Sequence, residues 1–419
     1  MVGFRVKDAS LTEKGSLSID WASRHMPVLK SIQGKFSVEK PLQGLHLAAC
    51  LHVTKETAVL VETLESAGAE VALCGSNPLS TQDNVATALA AGGTHVYAWR
   101  GQTGEEYYHC IEDVLGFEPD ITLDDGADLI TTLHTEKTEL LPRVIGGTEE
   151  TTTGVLRLRA MAAEGALRYP LIAVNDAKSK NLFDNPVGTG QSALDGLIRA
   201  TNILVAGKEV VVVGYGQVGS GIAERARGLG AKVTVVEVDP FKALKATMYG
   251  FKVTSLEKAS TYGDIFITAT GNVNVIRAKH IEMMKDNAIL ANAGHFDVEV
   301  CKPDLERLSV SQRRLNPCIE EYRMKNGSRL HLLGEGRLVN LACAEGHPSE
   351  VMDLSFSIQA LSVEFLAENR GRLPVEVIDV PASVDEVVTR LKLEAMGVEL
   401  EELTAEQREY LKSWRLGTA

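Results

Sequence analysis

The chain has 419 residues, 44% of them apolar, which suits about two to three domains of the usual ~100–200 residues and excludes a peptide, a single small module and a disordered chain. Its 43 lysines and arginines stand against 56 acids, a net charge of −13, so a nonspecific groove for nucleic acid is not expected, although a local basic pocket stays open. No apolar run approaches the ~18–20 residues of a membrane span, the opening MVGFRVKDAS lacks a signal peptide's apolar core, and Val2 stands where myristoylation needs glycine; a soluble, cytoplasmic chain with no membrane partner is expected.

Short apolar or β-branched runs alternate with segments of helical period, the pattern of βαβ units. In chain order the expected strands are Leu45–Leu51, Val71–Leu73, His95–Trp99, Ile121–Leu123, Leu171–Val174, Val210–Val213, Lys232–Val236, Ile265–Thr268, Ala288–Ala291 and Leu330–Leu333, too many for one ordinary sheet. ETAVLVETLESAG at 56–68 has apolar residues at helical spacing and ends on Gly68, so the first clear unit is strand, helix, strand from 45 to 73. A second opens at 209–236, which predicts an α/β chain of two doubly wound, Rossmann-like domains with a boundary near Ser192–Val205. The chain ends in helix. SVDEVVTRLKLEAMG predicts a Ser383/Glu386 capping box and a stop at Gly397, and TAEQREYLKSW repeats the device with Thr404 and Gln407. Six cysteines, at 50, 74, 110, 301, 318 and 343, form no CxxC pair, so neither a disulfide framework nor a structural zinc site is expected and no metal is assigned. Cys50 and Cys74 lie in apolar runs and read as small buried hydrophobes.

Glu209 to Asp239 reads EVVVVGYGQVGSGIAERARGLGAKVTVVEVD: a strand, a glycine turn, a helix, a second strand and an acid at its end. Gly214 permits the tight turn, Gly216 lets backbone approach a pyrophosphate and Gly219 lets helix and strand pack closely, with the phosphates at the helix N-terminus. Glu237 stands where a carboxylate accepts from a ribose 2′-hydroxyl and repels a 2′-phosphate, which favours NAD over NADP; Lys242 and Lys245 nearby leave a little room for the latter. Alone, three glycines are common turn punctuation; the full strand, turn, helix, strand, acid context carries the reading.

In open parallel sheets ligands bind beyond the carboxyl ends of strands. This chain places His52 and Thr54, Asp124 and Asp125, Asn175 and Asp176, and Asn292 and His295 there, with Lys180 and Asp184 just after the third pair. Taken singly, Asp124 or Asp176 is as well read as a helix cap, His52 as a hydrogen-bonded core histidine and Lys180 as a solvated loop lysine. Jointly, beside a dinucleotide site, they point to a cleft. GTEETTTG at 147–154 has the same two readings, since a bare N-terminal cap explains Thr151 or Thr152, and Asn340 and His347 sit in a Gly-rich turn that could simply start a helix.

Together, CLHVTKETAVLVETL, STQDNVA, LDDGADL, EETTTGV, KSKNLFDN, GYGQVG, NAGHFDVE and EGRLVNLACAEGHPS resemble, in order and over almost the whole chain, the S-adenosylhomocysteine hydrolase family. The resemblance implies a split substrate domain (1–185 and 347–396), an inserted NAD-binding domain (190–345), a short helical tail (397–419), tightly held NAD and a cytoplasmic homotetramer. It implies reversible cleavage of S-adenosylhomocysteine to adenosine and homocysteine: C3′ is oxidised by NAD, C4′–H becomes acidic, the thiol leaves, water adds, and the hydride returns.

By the same resemblance Lys180 and Asp184, spaced NDxxxKxxxDN from Asn175 to Asn185, polarise and deprotonate the 3′-hydroxyl while Glu150 and Thr151 grip the ribose, and Lys180 is expected to have a depressed pKa. Asp125, His52 and His295 share the C4′ and C5′ protons, the C4′ base being left open among them. Thr54 and Glu56 meet the purine edge and His347 lies in the loop that closes over it. The cofactor set is Thr151, Thr152, Thr153, Asn185, Gly214, Gly216, Gln217, Val218, Gly219, Glu237, Lys242, Thr270, Gly271, Asn272, Gly294, His295 and Asn340.

The departures are specific. Thr189 stands where the family often has cysteine, Lys242 where it usually has asparagine, and Glu345 where many members have methionine, so contact with ligand or a monovalent cation there is expected to differ. A Lys/Tyr-rich tail that reaches the neighbour's NAD site is not seen before Ala419, which resembles archaeal and thermophilic bacterial forms and leads to an expectation of more exchangeable NAD. Some such forms act on the inosine analogue; Glu56 favours a 6-amino group, and a protonated acid or a water could serve a 6-oxo purine. The other readings are an ordinary NAD-dependent dehydrogenase, which needs exchangeable NAD and usually an arginine anchor, and a non-catalytic NAD-binding regulator, against which Lys180, Asp125 and His52 are all present.

Overall fold

The computed structural model describes residues 3–415 and 417; Met1 and Val2, and positions 416, 418 and 419 of the expected tail, lie outside the described residues. In chain order the first sheet takes β1 (Phe4–Arg5), β2 (His46–Cys50), β3 (Glu70–Cys74), β4 (His95–Tyr97), β5 (Ile121–Asp124), β6 (Gly146–Glu149) and β7 (Leu171–Ala173). The second takes β8 (Glu209–Val213), β9 (Lys232–Val236), β10 (Lys252–Val253), β11 (Ile265–Thr268), β12 (Ala288–Asn292), β13 (Ser309–Asn316), β14 (Ile319–Met324) and β15 (Arg329–Leu333). β16 (Val377–Asp379) then returns to the first sheet beside β7.

The first sheet is parallel throughout, in the order β1-β4-β3-β2-β5-β6-β7-β16. The second runs β10-β9-β8-β11-β12-β15-β14-β13, parallel as far as β15 and antiparallel in its last two pairs. The winding direction therefore reverses between β2 and β5 in one sheet and between β8 and β11 in the other, and each reversal opens a crevice at the strands' carboxyl ends. Leu47 to Cys50 and Val210 to Val213 are buried without alternation, as in sheets covered by helices on both faces.

All ten expected strands form, with ends within two residues of expectation. Six more were not expected. Three of these have only two or three residues, and β6 reads GGTE, whose glycines look like a turn. Packing demands them: a Cβ on Gly147 would fall 2.2 Å from Thr122 Oγ1, and one on Gly146 would fall 2.6 Å from Leu366 Cδ2. The β13–β14 hairpin is polar along its exposed first strand and is tied by ion pairs such as Arg313–Glu321 at 2.6 Å.

The Ser383/Glu386 capping box is absent. The helix Ala382–Ala395 begins after Pro381, which puts Ser383 inside the first turn rather than at the cap, and Glu386 pairs down the helix with Arg390 at 2.7 Å. Its neighbour Asp385 instead accepts the backbone N–H groups of Lys178 and Ser179 at 2.7 and 3.1 Å, capping the short helix Lys178–Phe183 that carries Lys180. The stop at Gly397, φ +68°, and the Thr404/Gln407 box on Ala405–Lys412 both form as expected.

Candidate active site

β2 and β5 are neighbours at the first reversal, so the residues that follow them meet. Nε2 of His52 lies 3.5 Å from Oδ2 of Asp125, while Ser80 and Ser76 hydroxyls hold its Nδ1 at 2.8 and 3.0 Å. His295, after β12 of the other sheet, brings Nδ1 to 3.8 Å from Oδ1 of Asp125. That approach needs Gly126, where a Cβ would fall 2.4 Å from His295 Nε2. Burial, with His347 adding, pushes the His52 imidazole down to about 3. Burial also lowers His295 and raises the Asp125 carboxyl. Oδ1 of Asp125 is buried without a hydrogen-bond partner.

A second cluster surrounds Lys180, which is 3% exposed. Its ammonium donates to Asn175 Oδ1 at 3.0 Å and lies 3.4 Å from Asp184 Oδ1. Burial works to lower this lysine, but Asp184, Glu150 and Asp125 outweigh it and hold Lys180 above the ordinary lysine value. The direction is the opposite of the expected depression. Burial works to raise Asp184, yet Lys180 and His347 overcome it and hold the group well below the usual carboxylate range. Glu150, by contrast, is pushed up to about 8, chiefly by burial.

Sequence reasoning missed what supports these acids. The helix Ser349–Glu368 passes behind the cluster and donates from three points: Ser349 Oγ to Glu56 at 2.6 Å, Ser355 Oγ to Asp184 at 3.0 Å and Gln359 Nε2 to Glu150 at 2.6 Å. The available signal was polar residues in an otherwise apolar helix; Ser355 and Gln359 are both fully buried. Glu149 was missed as well. Its Oε1 accepts the N–H groups of Gly126 and Thr151 at 2.9 Å each, and Gly154 leaves it room, since a Cβ there would fall 2.1 Å from its carboxyl carbon. Glu299 acts likewise in the second sheet, receiving the N–H groups of Thr270 and Gly271.

The glycine turn fits a dinucleotide. Gly214 has φ +97°, a Cβ on Gly219 would fall 1.9 Å from Gly214 O, and Gly216 has open space beside it at the start of the helix Gln217–Gly228. Asn340 donates to Ser192 Oγ at 3.0 Å and leaves a buried Oδ1 without a partner, available to an amide N–H. Glu237 spends its carboxylate on the backbone N–H groups of Tyr215, Val238 and Asp239 at 2.7, 2.6 and 2.9 Å.

A cavity of about 470 Å³ joins both crevices. His52, Thr54, Glu56, Asp125 and Glu150 lie on it, with Thr151, Thr152, Thr153, Lys180, Asp184 and Asn185. From beyond the strands of the second sheet come Gly216, Gln217, Val218, Lys242, Thr270 and Gly271, with Gly294, His295 and Asn340, and His347 completes the wall. Gly214, Gly219, Glu237 and Asn272 are off its wall, the glycines acting through backbone shape and Asn272 accepting its neighbour's N–H at 2.8 Å. Thr151 serves twice, as the N-cap of Thr152–Ala163 and on the wall, and Asp124 is a cap, accepting from Ile130 N at 2.8 Å. Glu345 pairs with Lys55 at 2.6 Å and Arg199 at 2.9 Å in a neighbouring cavity of about 860 Å³.

Residues 3–142 match the family model described as S-adenosyl-L-homocysteine hydrolase, and residues 185–346 match that of the S-adenosyl-L-homocysteine hydrolase NAD binding domain. A relative from Sulfolobus acidocaldarius named adenosylhomocysteinase is 58% identical over 99% of this chain and 100% of its own length. One of the same name from Aeropyrum pernix is 61% identical over 99% of each. A relative from Methanopyrus kandleri named S-inosyl-L-homocysteine hydrolase is 60% identical over 99% of this chain and 98% of its own.

Proposed function

The chain belongs to the S-adenosyl-L-homocysteine hydrolase family, and from that premise we propose how its buried cleft performs the reaction. It is an enzyme, a hydrolase with NAD as cofactor, and its reaction is the reversible cleavage of S-adenosylhomocysteine to adenosine and homocysteine. Gly216 at the helix start and Asn340 would hold NAD, which would supply a reversible hydride acceptor for C3′, so that the cycle has no net redox change. The observation that carries the reading is the gathering of Lys180, Asp184, Glu150, Asp125, His52 and His295 into one cavity with the glycine turn.

In this reading Glu150, its carboxyl raised by burial, and Thr151 hold the ribose hydroxyls. Hydroxyls that engage Asp184 and Glu150 loosen those acids' hold on Lys180, so burial then favours its neutral form and lets it manage the 3′ proton. Asp125, with its unpaired Oδ1 and raised carboxyl, is assigned the C4′ proton. His52, aimed by Ser76 and Ser80, and His295 move the proton at the C5′ sulfur. Burial of the whole set keeps bulk water from the intermediate.

Glu56 takes the Ser349 hydroxyl on Oε1 and is left an acceptor for the purine edge, which favours a 6-amino group. The inosine analogue is the second reading, favoured by the name of the Methanopyrus relative. We place the substrate domain at 1–185 with 347–396, the NAD domain at 190–345 and the tail at 397–419, a division supported by the two sheets. The cofactor roles of Glu237, Gly214, Gly219 and Asn272 are part of the same proposal. A homotetramer belongs to this proposal too, and the exposed Val238, Phe241, Leu244 and Met248 offer an apolar face of the kind that a contact would cover. Among the described residues no helix is long and apolar enough to cross a membrane. A cytoplasmic location is proposed with the rest, and the net charge of −13 argues against a nonspecific groove for nucleic acid.

The test is product chromatography after the purified enzyme, with no NAD added, meets equal S-adenosyl- and S-inosylhomocysteine with the thiol trapped. Adenosine is the expected product; inosine instead supports the second reading, and neither, even with NAD supplied, overturns the hydrolase.

A further inference from the structure

The segment between the lysine helix and Gly190–Thr201 is a π-helical turn, Asp184–Thr189, whose wide winding brings residues four and five apart to one side. Three of its residues surround one imidazole. Asp184 Oδ2 lies 3.4 Å from His347 Nδ1, Thr189 Oγ1 lies 3.0 Å from His347 Nε2, and Gly188 lies flat against the ring, where a Cβ would fall 3.3 Å from Cγ. Thr189 is itself buried, 5% exposed.

The proton inventory of this chain of groups places a proton on His347 Nδ1 in the neutral and in the charged ring alike. Asp184 already accepts from Ser355 at 3.0 Å and faces Lys180 at 3.4 Å, so an ionised Asp184 can only accept, and His347 must carry its proton on Nδ1. The imidazolium donates from Nε2 to Thr189 Oγ1, whereas the neutral ring has a bare Nε2 that needs a donor, which the Thr189 hydroxyl supplies.

We propose that Thr189 is a positioning residue for the first chemical step: its hydroxyl fixes the His347 tautomer that donates to Asp184, and Asp184 in turn holds Lys180 against the 3′-hydroxyl. This rests on the hydrolase reading above. It gives His347 a second task, since the loop that closes on the purine then also sets the group that works on the ribose, and a well-seated base is felt at C3′ through one imidazole.

The test uses the holoenzyme with Thr189→Val, Thr189→Ala and Thr189→Ser, and reads kcat and KM for S-adenosylhomocysteine, NAD per subunit, and the absorbance of reduced nicotinamide formed on mixing with adenosine. In Thr189→Val we expect kcat and the rate of nicotinamide reduction to fall about tenfold, with KM within about threefold and NAD content unchanged. Thr189→Ser, which keeps the hydroxyl, should recover to within about twofold of the parent. Thr189→Ala stands in if the valine variant loses its NAD or its fold. Parental rates in both valine and alanine variants, or a serine variant as slow as alanine, overturn the proposal. Parent enzyme that releases no nucleoside overturns the hydrolase reading instead, so the two failures are distinguishable.

Discussion

Gln359 donates its side-chain amide to Glu150 across 2.6 Å, although 209 residues separate them in the chain. Glu150 is the acid pushed up to about 8 by burial, and the amide occupies Oε2 and leaves Oε1 without a partner. Replacing Gln359 by Leu leaves Oε2 buried and unpaired as well, at a cost of about 1–3 kcal/mol. We expect kcat/KM to fall about tenfold with NAD content unchanged, as read from steady-state kinetics and cofactor release; parental kcat/KM would remove Gln359 from the site.

Glu150 also makes stability depend on pH. Its carboxyl moves from an ordinary 4.5 to about 8 in the fold, so between those values the unfolded chain releases a proton that the folded chain keeps. The group's contribution is whole below about 4.5 and is lost as pH rises to about 8. Glu150→Gln should therefore gain on the parent progressively from pH 4.5, by up to about 5 kcal/mol at pH 8, in denaturant unfolding. A difference that is constant across that range contradicts the raised carboxyl.

Lys180→Ala removes the ammonium that faces Asp184 and Asn175. Turnover should drop about 10²-fold or more while bound NAD stays in place. Near-normal turnover would take Lys180 out of the chemistry.

Gly219→Ala sets a methyl 1.9 Å from Gly214 O, so the turn must open. The variant should purify with little bound NAD, measured by absorbance after denaturation, whereas Gly228→Ala, where nothing lies within 4 Å of the added Cβ, should keep its full complement. Equal NAD in both variants is the outcome that would refute the role of the close helix–strand contact.

Much of this protein was legible along the chain because it is locally encoded. Val210 to Val213, Gly214, Gly216 and Gly219 announce a strand and its turn through residue type and spacing alone, and polar groups such as His52, Asp125 and Lys180 stand out where apolar strands end. Less local features misled. Ser383 and Glu386 have the spacing of a cap, but Arg390 takes the glutamate and Asp385 caps another helix, and β6 hides behind two glycines that only packing against Thr122 and Leu366 explains.

Residue types and spacings by themselves thus determined the two wound sheets, the dinucleotide turn and the roster of acids, lysine and histidines, because each follows from periodicity or from place at a strand end. The tertiary structure alone decided the protonation of that roster. A pKa depends on burial and on charges within a few ångströms, and Lys180 meets Asp184, Glu150 and Asp125, as Glu150 meets Gln359, only once both ends of the chain are folded round one cleft.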